Sequence, residues 1–240
     1  MKMEFREALL YGFEKMNLAL QPEAEALFHA YYERLKALEG TVNLTGLKKP
    51  EEMAIKLFVD SVAATRWVTF CAGERLLDVG SGAGFPGVPL GISVPGLEVV
   101  LLEAARRKAD FLRTLITTLS LKNVAVLWGR AEEYGHLKHY REGFDWAVAR
   151  AVAPLRELAE YAVPFVRPGG VFLAYKGARG MEEIEAAHGA MGLLGATLEK
   201  VEEYNLPRTG ERRLLMFIRK TASTPPSFPR RAGMPRKKPL

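Results

Sequence analysis

Arg75-Leu-Leu-Asp-Val-Gly-Ser-Gly-Ala-Gly-Phe-Pro-Gly87 is the stretch that decides the fold of this chain. A short apolar run ends at Asp78 and breaks into three alternate glycines, Gly80, Gly82 and Gly84. A parallel strand that turns sharply into a helix needs such residues, because they let the backbone come close to a bound nucleoside. A glycine-rich turn with no ligand fits the same letters, so the rest of the chain has to discriminate.

The spacing narrows the ligand. A dinucleotide fingerprint, G-x-G-x-x-G, would need glycine where this chain has Phe85. The third glycine comes one residue early, giving Asp-x-Gly-x-Gly-x-Gly, the order typical of enzymes that use S-adenosylmethionine. On this reading Asp78, Gly80, Gly82, Gly84 and Phe85 form the methionine side of a cofactor site. The helix beginning just after them would turn its positive end to the methionine carboxylate.

Working outward, strands and helices alternate from Arg75 on. Strand patterns at 75–79, 98–102, 124–128, 144–149 and 171–175 are separated by helical patterns at 87–93, 105–119, 155–166 and 181–194. A connection or short helix covers 131–141, and Arg167-Pro168-Gly169-Gly170 reads as a tight turn into the fifth strand. Two last strands, 197–204 and 213–219, are joined by a short Pro/Gly link and should pair antiparallel as an edge hairpin. This rhythm predicts an α/β, Rossmann-like, doubly wound and mostly parallel seven-stranded sheet.

Upstream the pattern is helical. Phe5, Leu9, Phe13 and Met16 share one face, and Phe28, Tyr31, Leu35 and Leu38 mark a second helix opened by Pro22. Residues 40–46 read as a loop and 50–65 as a third helix. The predicted organisation is an N-terminal helical extension (1–66), a cofactor-binding domain (67–219) and a C-terminal tail (220–240).

The 240 residues, 48% of them apolar, suffice for one full core. The formal charge is +6, and its placement is informative. Residues 220–240 carry Lys220, Arg230, Arg231, Arg236, Lys237 and Lys238 with no acid. Setting these six aside from the 34 leaves 28 basic against 28 acidic side chains in 1–219. The tail also holds five prolines, which predict an extended segment that is neither helix nor central strand. It reads either as a clamp for phosphates or as a solubilising tail. No apolar run approaches the roughly 18 residues of a membrane span, and the N-terminus carries acidic charge with no cleavage pattern. The single cysteine, Cys71, excludes an internal disulfide and a cysteine-based zinc site and reads as inert core. These features predict a cytoplasmic chain with no membrane or metal partner.

In a doubly wound sheet the ligand lies beyond the carboxyl ends of the strands. Strand two ends at Glu103, 23 residues after Gly80, where an acid can hold two ribose hydroxyls; it can equally be a surface glutamate opening a helix. After strand three, the backbone of Ala131 and the carboxylate of Glu132 can read the adenine ring. Strand four ends at Arg150, a candidate positioning residue for the reacting centre, or a structural arginine bridging the loop. Lys176 follows strand five as a second cation. No Asn-Pro-Pro-Tyr element and no Pro-Cys dipeptide follows strand four, and His29, His136, His139 and His188 form no constellation. What remains suits a reaction that needs positioning more than proton transfer. A purine N7 fits, since it exposes a lone pair and carries no proton.

Several segments together carry a family resemblance. They are Asn43-Leu-Thr45, Phe58-Val-Asp60-Ser61, Leu77 to Gly87, Gly129-Arg-Ala-Glu132, Ala149-Arg-Ala151, Pro168-Gly-Gly170, Lys176-Gly177, and the tail from Thr224 to Pro239. With these the chain resembles the bacterial small-subunit ribosomal RNA guanine-N7 methyltransferase G family, also called glucose-inhibited division protein B. The resemblance implies a class I methyltransferase fold and methyl transfer from S-adenosylmethionine to N7 of one guanine in the decoding-region stem-loop of 16S ribosomal RNA. It implies cofactor contacts at Gly80, Phe85, Glu103 with Ala104, Ala131 with Glu132, and Arg150. It also implies RNA contacts at Lys176, Arg230, Arg231, Arg236, Lys237 and Lys238. The expected partner is 16S ribosomal RNA or the small ribosomal subunit, met by a monomer. Two departures stand out. Leu57 replaces the histidine that the family often has before Phe58, and Glu103 replaces the commoner aspartate. The competing readings are a methyltransferase with another RNA base or a small molecule as acceptor, and a catalytically silent RNA-binding or assembly protein.

Overall fold

The computed structural model describes residues 3–39 and 44–240; residues 40–43 of the predicted loop 40–46, Asn43 among them, lie outside the described residues. Helices α1 (Phe5–Lys15) and α2 (Pro22–Ala37) bury Phe5, Leu9, Phe13, Phe28, Tyr31 and Leu35. Pro22 sits in the first turn of α2, where a missing N–H breaks no helical bond. The predicted helix over 50–65 exists as one rod in four registers. It runs through α3 (Pro50–Met53), a π-helical stretch Ala54–Val59, α4 (Asp60–Val62) and a 3-10 turn Ala63–Arg66. Within this π turn the carbonyls of Lys56 and Leu57 lie within reach of Arg150.

The alternating part follows as β1 (Arg75–Val79), α5 (Gly87–Ser93), β2 (Glu98–Glu103), α6 (Arg106–Thr118), β3 (Val124–Trp128), α7 (Ala131–Tyr134), β4 (Phe144–Arg150) and α8 (Leu155–Ala162). It continues with β5 (Val166–Gly177), α9 (Glu182–Leu193), β6 (Ala196–Asn205), β7 (Arg212–Lys220) and α10 (Met234–Lys237). The seven strands lie in the order β3-β2-β1-β4-β5-β7-β6. All neighbours are parallel except β7, which runs antiparallel to both β5 and β6. The Rossmann-like, mostly parallel sheet with an edge hairpin is therefore present.

Period-two alternation divides the sheet between two cores. Leu76, Leu101, Val148 and Leu173 face one side with α1, α2, α5 and α6. Leu77, Leu102, Ala149 and Ala174 face the other with α8 and α9. The N-terminal helices thus form one of the two helical layers on the sheet.

Three local expectations are corrected. The helix predicted to Val166 ends at Ala162 in a 3-10 turn, because Pro164 can give no N–H to the helical ladder. β5 already begins at Val166, which pairs with Phe144; the ladder then skips, and Trp146 pairs with Val171. The predicted turn is the interruption, with Gly169 at φ +85°. Finally, Cys71 is exposed rather than core, in the turn before β1.

Candidate active site

Two adjoining cavities of about 920 and 960 Å³ share Gly80, Ala104, Val152, Ala153 and Pro154 and form one cleft. The cleft lies at the carboxyl ends of β1 and β4, where the strand order reverses, the place at which doubly wound sheets bind ligands. Gly80 forms its floor at φ +71°, and a Cβ there would lie 2.8 Å from a Val152 methyl.

The acid after β2 is built into the glycine loop. Glu103 accepts the Gly82 N–H on Oε2 at 2.8 Å and the Ala105 N–H on Oε1 at 2.7 Å. A carboxylate oxygen has two acceptor positions, so each keeps one for a ribose hydroxyl. The two backbone bonds fix the plane of the carboxylate before any ligand arrives.

Asp78 is placed otherwise than expected. It is fully buried and lines neither cavity; its Oδ2 accepts the Gly87 N–H at 2.8 Å, at the start of α5. The positive end of that helix is therefore met by Asp78 from below. Gly84 also points away from the cleft, packed against the Tyr31 hydroxyl and Leu112. Burial pushes the Asp78 carboxyl up to about 7, and its Oδ1 has no hydrogen-bond partner. The folded state thus holds this proton at pH values where an unfolded aspartate has lost it, so stability falls as pH rises from about 4 to about 7. Asp78→Asn keeps an acceptor for Gly87 and removes the titration. Its melting temperature relative to the parent chain is expected to rise between pH 4 and pH 8. A constant difference across that range would contradict the assignment.

The N-terminal layer steadies the loop from the far side. The Tyr31 hydroxyl donates to the Ala83 carbonyl, the Tyr31 ring stacks on Phe85 at 5.0 Å and 9°, and Phe58 meets Phe85 edge-on at 5.1 Å. Stacked and edge-to-face pairs of this kind hold both rings in one orientation. Phe85, which lines the cleft, is thereby set by α2 and the π segment.

Arg150 closes the other wall. Its guanidinium donates from one nitrogen towards the carbonyls of Lys56 and Leu57 at 3.3 and 3.4 Å and to Ser61 Oγ at 3.1 Å. It pairs with Asp60 Oδ2 at 3.4 Å and lies 5.3 Å from the Phe85 ring centre. Ala151, next to it, has φ +56° and turns the chain sharply out of β4. Asp60 also pairs with Arg213 Nε at 3.5 Å and accepts the Tyr204 hydroxyl at 2.8 Å. Arg150 is thus a bridge to the N-terminal layer and a cavity wall at once.

At the far end of the cleft, Ala131, Glu132 and Tyr161 line one cavity together with Gly233, Arg236 and Lys237 of the tail. Glu132 Oε1 accepts the Gly233 N–H at 2.9 Å. The tail is docked rather than extended, and α10 contradicts the expectation that its prolines bar any helix. Pro235 occupies the first turn of α10, which a proline can.

The predicted RNA cations divide into two groups. Lys176 donates to the Ala153 carbonyl at 2.8 Å and pairs with Glu183 at 2.7 Å, its side chain 9% exposed. Arg230 forks onto the buried Glu160 at 2.6 to 3.2 Å. Both are held by the fold itself, whereas Arg231, Arg236, Lys237 and Lys238 are exposed. His136 also has a task the sequence reading missed, since its Nε2 meets the Pro229 carbonyl at 2.6 Å. Tyr31 and Tyr161 were missed as well, as was Lys108, which lines the second cavity. The first two are ordinary core spacing in their own helices, and only Lys108, within Arg106-Arg-Lys108 after β2, carried a local charge signal.

Among the described residues no cluster of histidine, cysteine, aspartate or glutamate could hold a metal ion, and no helix is long and apolar enough to cross a membrane. Residues 24–215 match the model of the GidB family, rRNA small subunit methyltransferase G. The chain is 43% identical to the ribosomal RNA small subunit methyltransferase G of Desulfitobacterium hafniense (strain Y51), covering 95% of this chain and 94% of that protein. It is 42% identical to the protein of the same name from Moorella thermoacetica, covering 99% and 100%. Among solved structures, TrmN from Thermus thermophilus superposes with a TM-score of 0.54 at 17% identity, over 73% of this chain and 55% of that one. At that identity the likeness concerns the fold alone.

Proposed function

This chain belongs to the GidB family of ribosomal RNA small subunit methyltransferases G, S-adenosylmethionine-dependent enzymes of 16S ribosomal RNA, and from that premise we propose how its cleft methylates N7 of one guanine in the decoding-region stem-loop. The observation that carries the reading is Glu103, a buried carboxylate at the end of β2, locked by Gly82 and Ala105 beside the topological switch point. A carboxylate so fixed, beside an open glycine turn, suits a ribose with two free hydroxyls.

The residues present fit the cofactor. The backbone of Gly80 and Gly82 would hold the methionine portion, Glu103 and the neighbouring Ala104 the ribose, and Ala131 with Glu132 the adenine. When bound, the cofactor supplies a methyl group on a positively charged sulfur. The chain supplies orientation. Phe85, clamped by Tyr31 and Phe58, and Arg150, clamped by Asp60 and Ser61, present a rigid wall to the incoming base. N7 of guanine has no proton to lose, so no side chain has to act as a base. Among the described residues neither cavity is lined by a histidine or cysteine, which agrees with that economy. Alignment of the two reactants is then the main source of acceleration.

Residues 1–66 serve as the layer that steadies the glycine loop, 67–219 as the catalytic domain and 220–240 as a docked basic tail. The enzyme works as a monomer in the cytoplasm, with 16S ribosomal RNA or the small subunit as its partner.

The test uses methyl-labelled cofactor, the purified chain and small-subunit RNA from cells lacking this modification, followed by digestion to nucleosides. Label is expected in 7-methylguanosine. Label in another nucleoside would overturn the base assignment, and no label on RNA or subunits would overturn the acceptor.

A further inference from the structure

The basic tail 220–240, which its prolines predict to be extended, is fastened to the domain at successive points. Arg141 donates to the carbonyls of Thr224, Pro225 and Phe228 at 2.6 to 3.1 Å. Glu142 accepts the Thr224 N–H at 2.7 Å, His136 meets the Pro229 carbonyl, and Arg230 forks onto Glu160. Beyond these anchors, among the described residues, one further polar contact joins the tail to the domain, the Gly233 N–H given to Glu132. That contact is made by the side chain assigned to the adenine. Gly233 takes φ +80° to make it, and α10 then brings Arg236 and Lys237 to the wall of the cavity. Neither of these cations, nor Lys238, has a carboxylate partner among the described residues, and all three face solvent.

We propose that residues 231–240 are a wall of the adenine subsite and couple the two substrates, so that RNA phosphates on Arg236, Lys237 and Lys238 tighten cofactor binding. This rests on the function proposed above. The physical argument is linkage. Gly233 fixes one oxygen of Glu132 and so its orientation towards the ring. Any ligand that favours the seated position of α10 favours the adenine subsite, and the coupling is reciprocal. Three adjacent cations on a seated tail are an electrostatic contact for a nucleic-acid backbone.

Two full-length variants test it, titrated with S-adenosylhomocysteine as probe. Gly233→Pro removes the N–H and forbids φ +80° while leaving the anchors from Thr224 to Arg230. Because this bond is made without ligand, its loss lowers the melting temperature modestly, whereas releasing the orientation of Glu132 is expected to raise the Kd about tenfold. In the parent chain, adding a 16S decoding-stem-loop RNA is expected to lower the Kd at least about threefold by the same linkage. The triple variant Arg236→Ala, Lys237→Ala, Lys238→Ala is expected to lose that RNA effect. Unchanged probe affinity in Gly233→Pro, with or without a lower melting temperature, would overturn the wall. An RNA effect that is absent in the parent chain, or survives in the triple variant, would overturn the coupling. Failure of the parent chain to bind the probe at all would instead sink the proposed function.

Discussion

Asp60→Ala is expected to lower the melting temperature by roughly 10 °C, more than the loss of any one core methyl group. Asp60 sits buried between three partners: Arg150, Arg213 and the Tyr204 hydroxyl. The two guanidinium groups are themselves mostly buried, at 14% and 21% exposure. Deleting the carboxylate leaves Arg150 with no carboxylate partner among the described residues and Arg213 with Glu211 alone, and removing one partner of a buried ion pair costs about 3–5 kcal/mol. For a chain of this size about 1 kcal/mol corresponds to 2–4 °C. Asp60→Asn retains an acceptor for Tyr204 and the shape of the site, so its loss should be smaller. Thermal unfolding by circular dichroism measures both; a shift below about 2 °C for the alanine variant would show that solvent reaches the two arginines and screens them.

The second large effect falls on the cofactor. Glu103→Ala removes both proposed acceptors of the ribose hydroxyls and the clamp on Gly82 and Ala105. Hydrogen bonds to a charged acceptor contribute about 1.5–3 kcal/mol each, so the Kd for S-adenosylhomocysteine should rise by at least about 100-fold. Glu103→Gln is instructive because it keeps size and loses charge. Whichever way its amide turns, an NH₂ group confronts the N–H of Gly82 or Ala105. Its affinity should therefore lie much nearer to alanine than to the parent, and Glu103→Asp should lie between. Calorimetric titration checks the series. Equal affinity of the glutamine and parent chains would remove Glu103 from the ribose.

The two variants differ in what made them foreseeable. Glu103 was readable from its distance after Gly80 at the end of a strand, because a parallel βαβ unit returns the chain to the same edge at a regular interval. Asp60 stood out only through family resemblance in Phe58-Val-Asp60-Ser61. Its partners Arg150 and Arg213 lie 90 and 153 residues away along the chain, and no local pattern announces such a meeting. Asp78 shows the converse. Its place in the glycine motif was plain, yet burial made it a support for Gly87 rather than a wall of the cleft.

By itself the sequence determined the strand and helix alternation, the seven-stranded sheet, the edge hairpin and the loop around which the cofactor site is organised. These depend on short-range causes: period-two and period-3.6 burial, glycines where a strand must turn, and prolines where a ladder must stop. The tertiary structure alone decided which charges are available. Ten positions carried a cofactor assignment and six an RNA assignment, but only folding brought Glu183 to Lys176, Glu160 to Arg230 and Glu132 to Gly233. A charge's role depends on what lies within about 4 Å of it, in a medium whose dielectric is set by burial. Those neighbours come from distant parts of the chain, and only the folded chain brings them together.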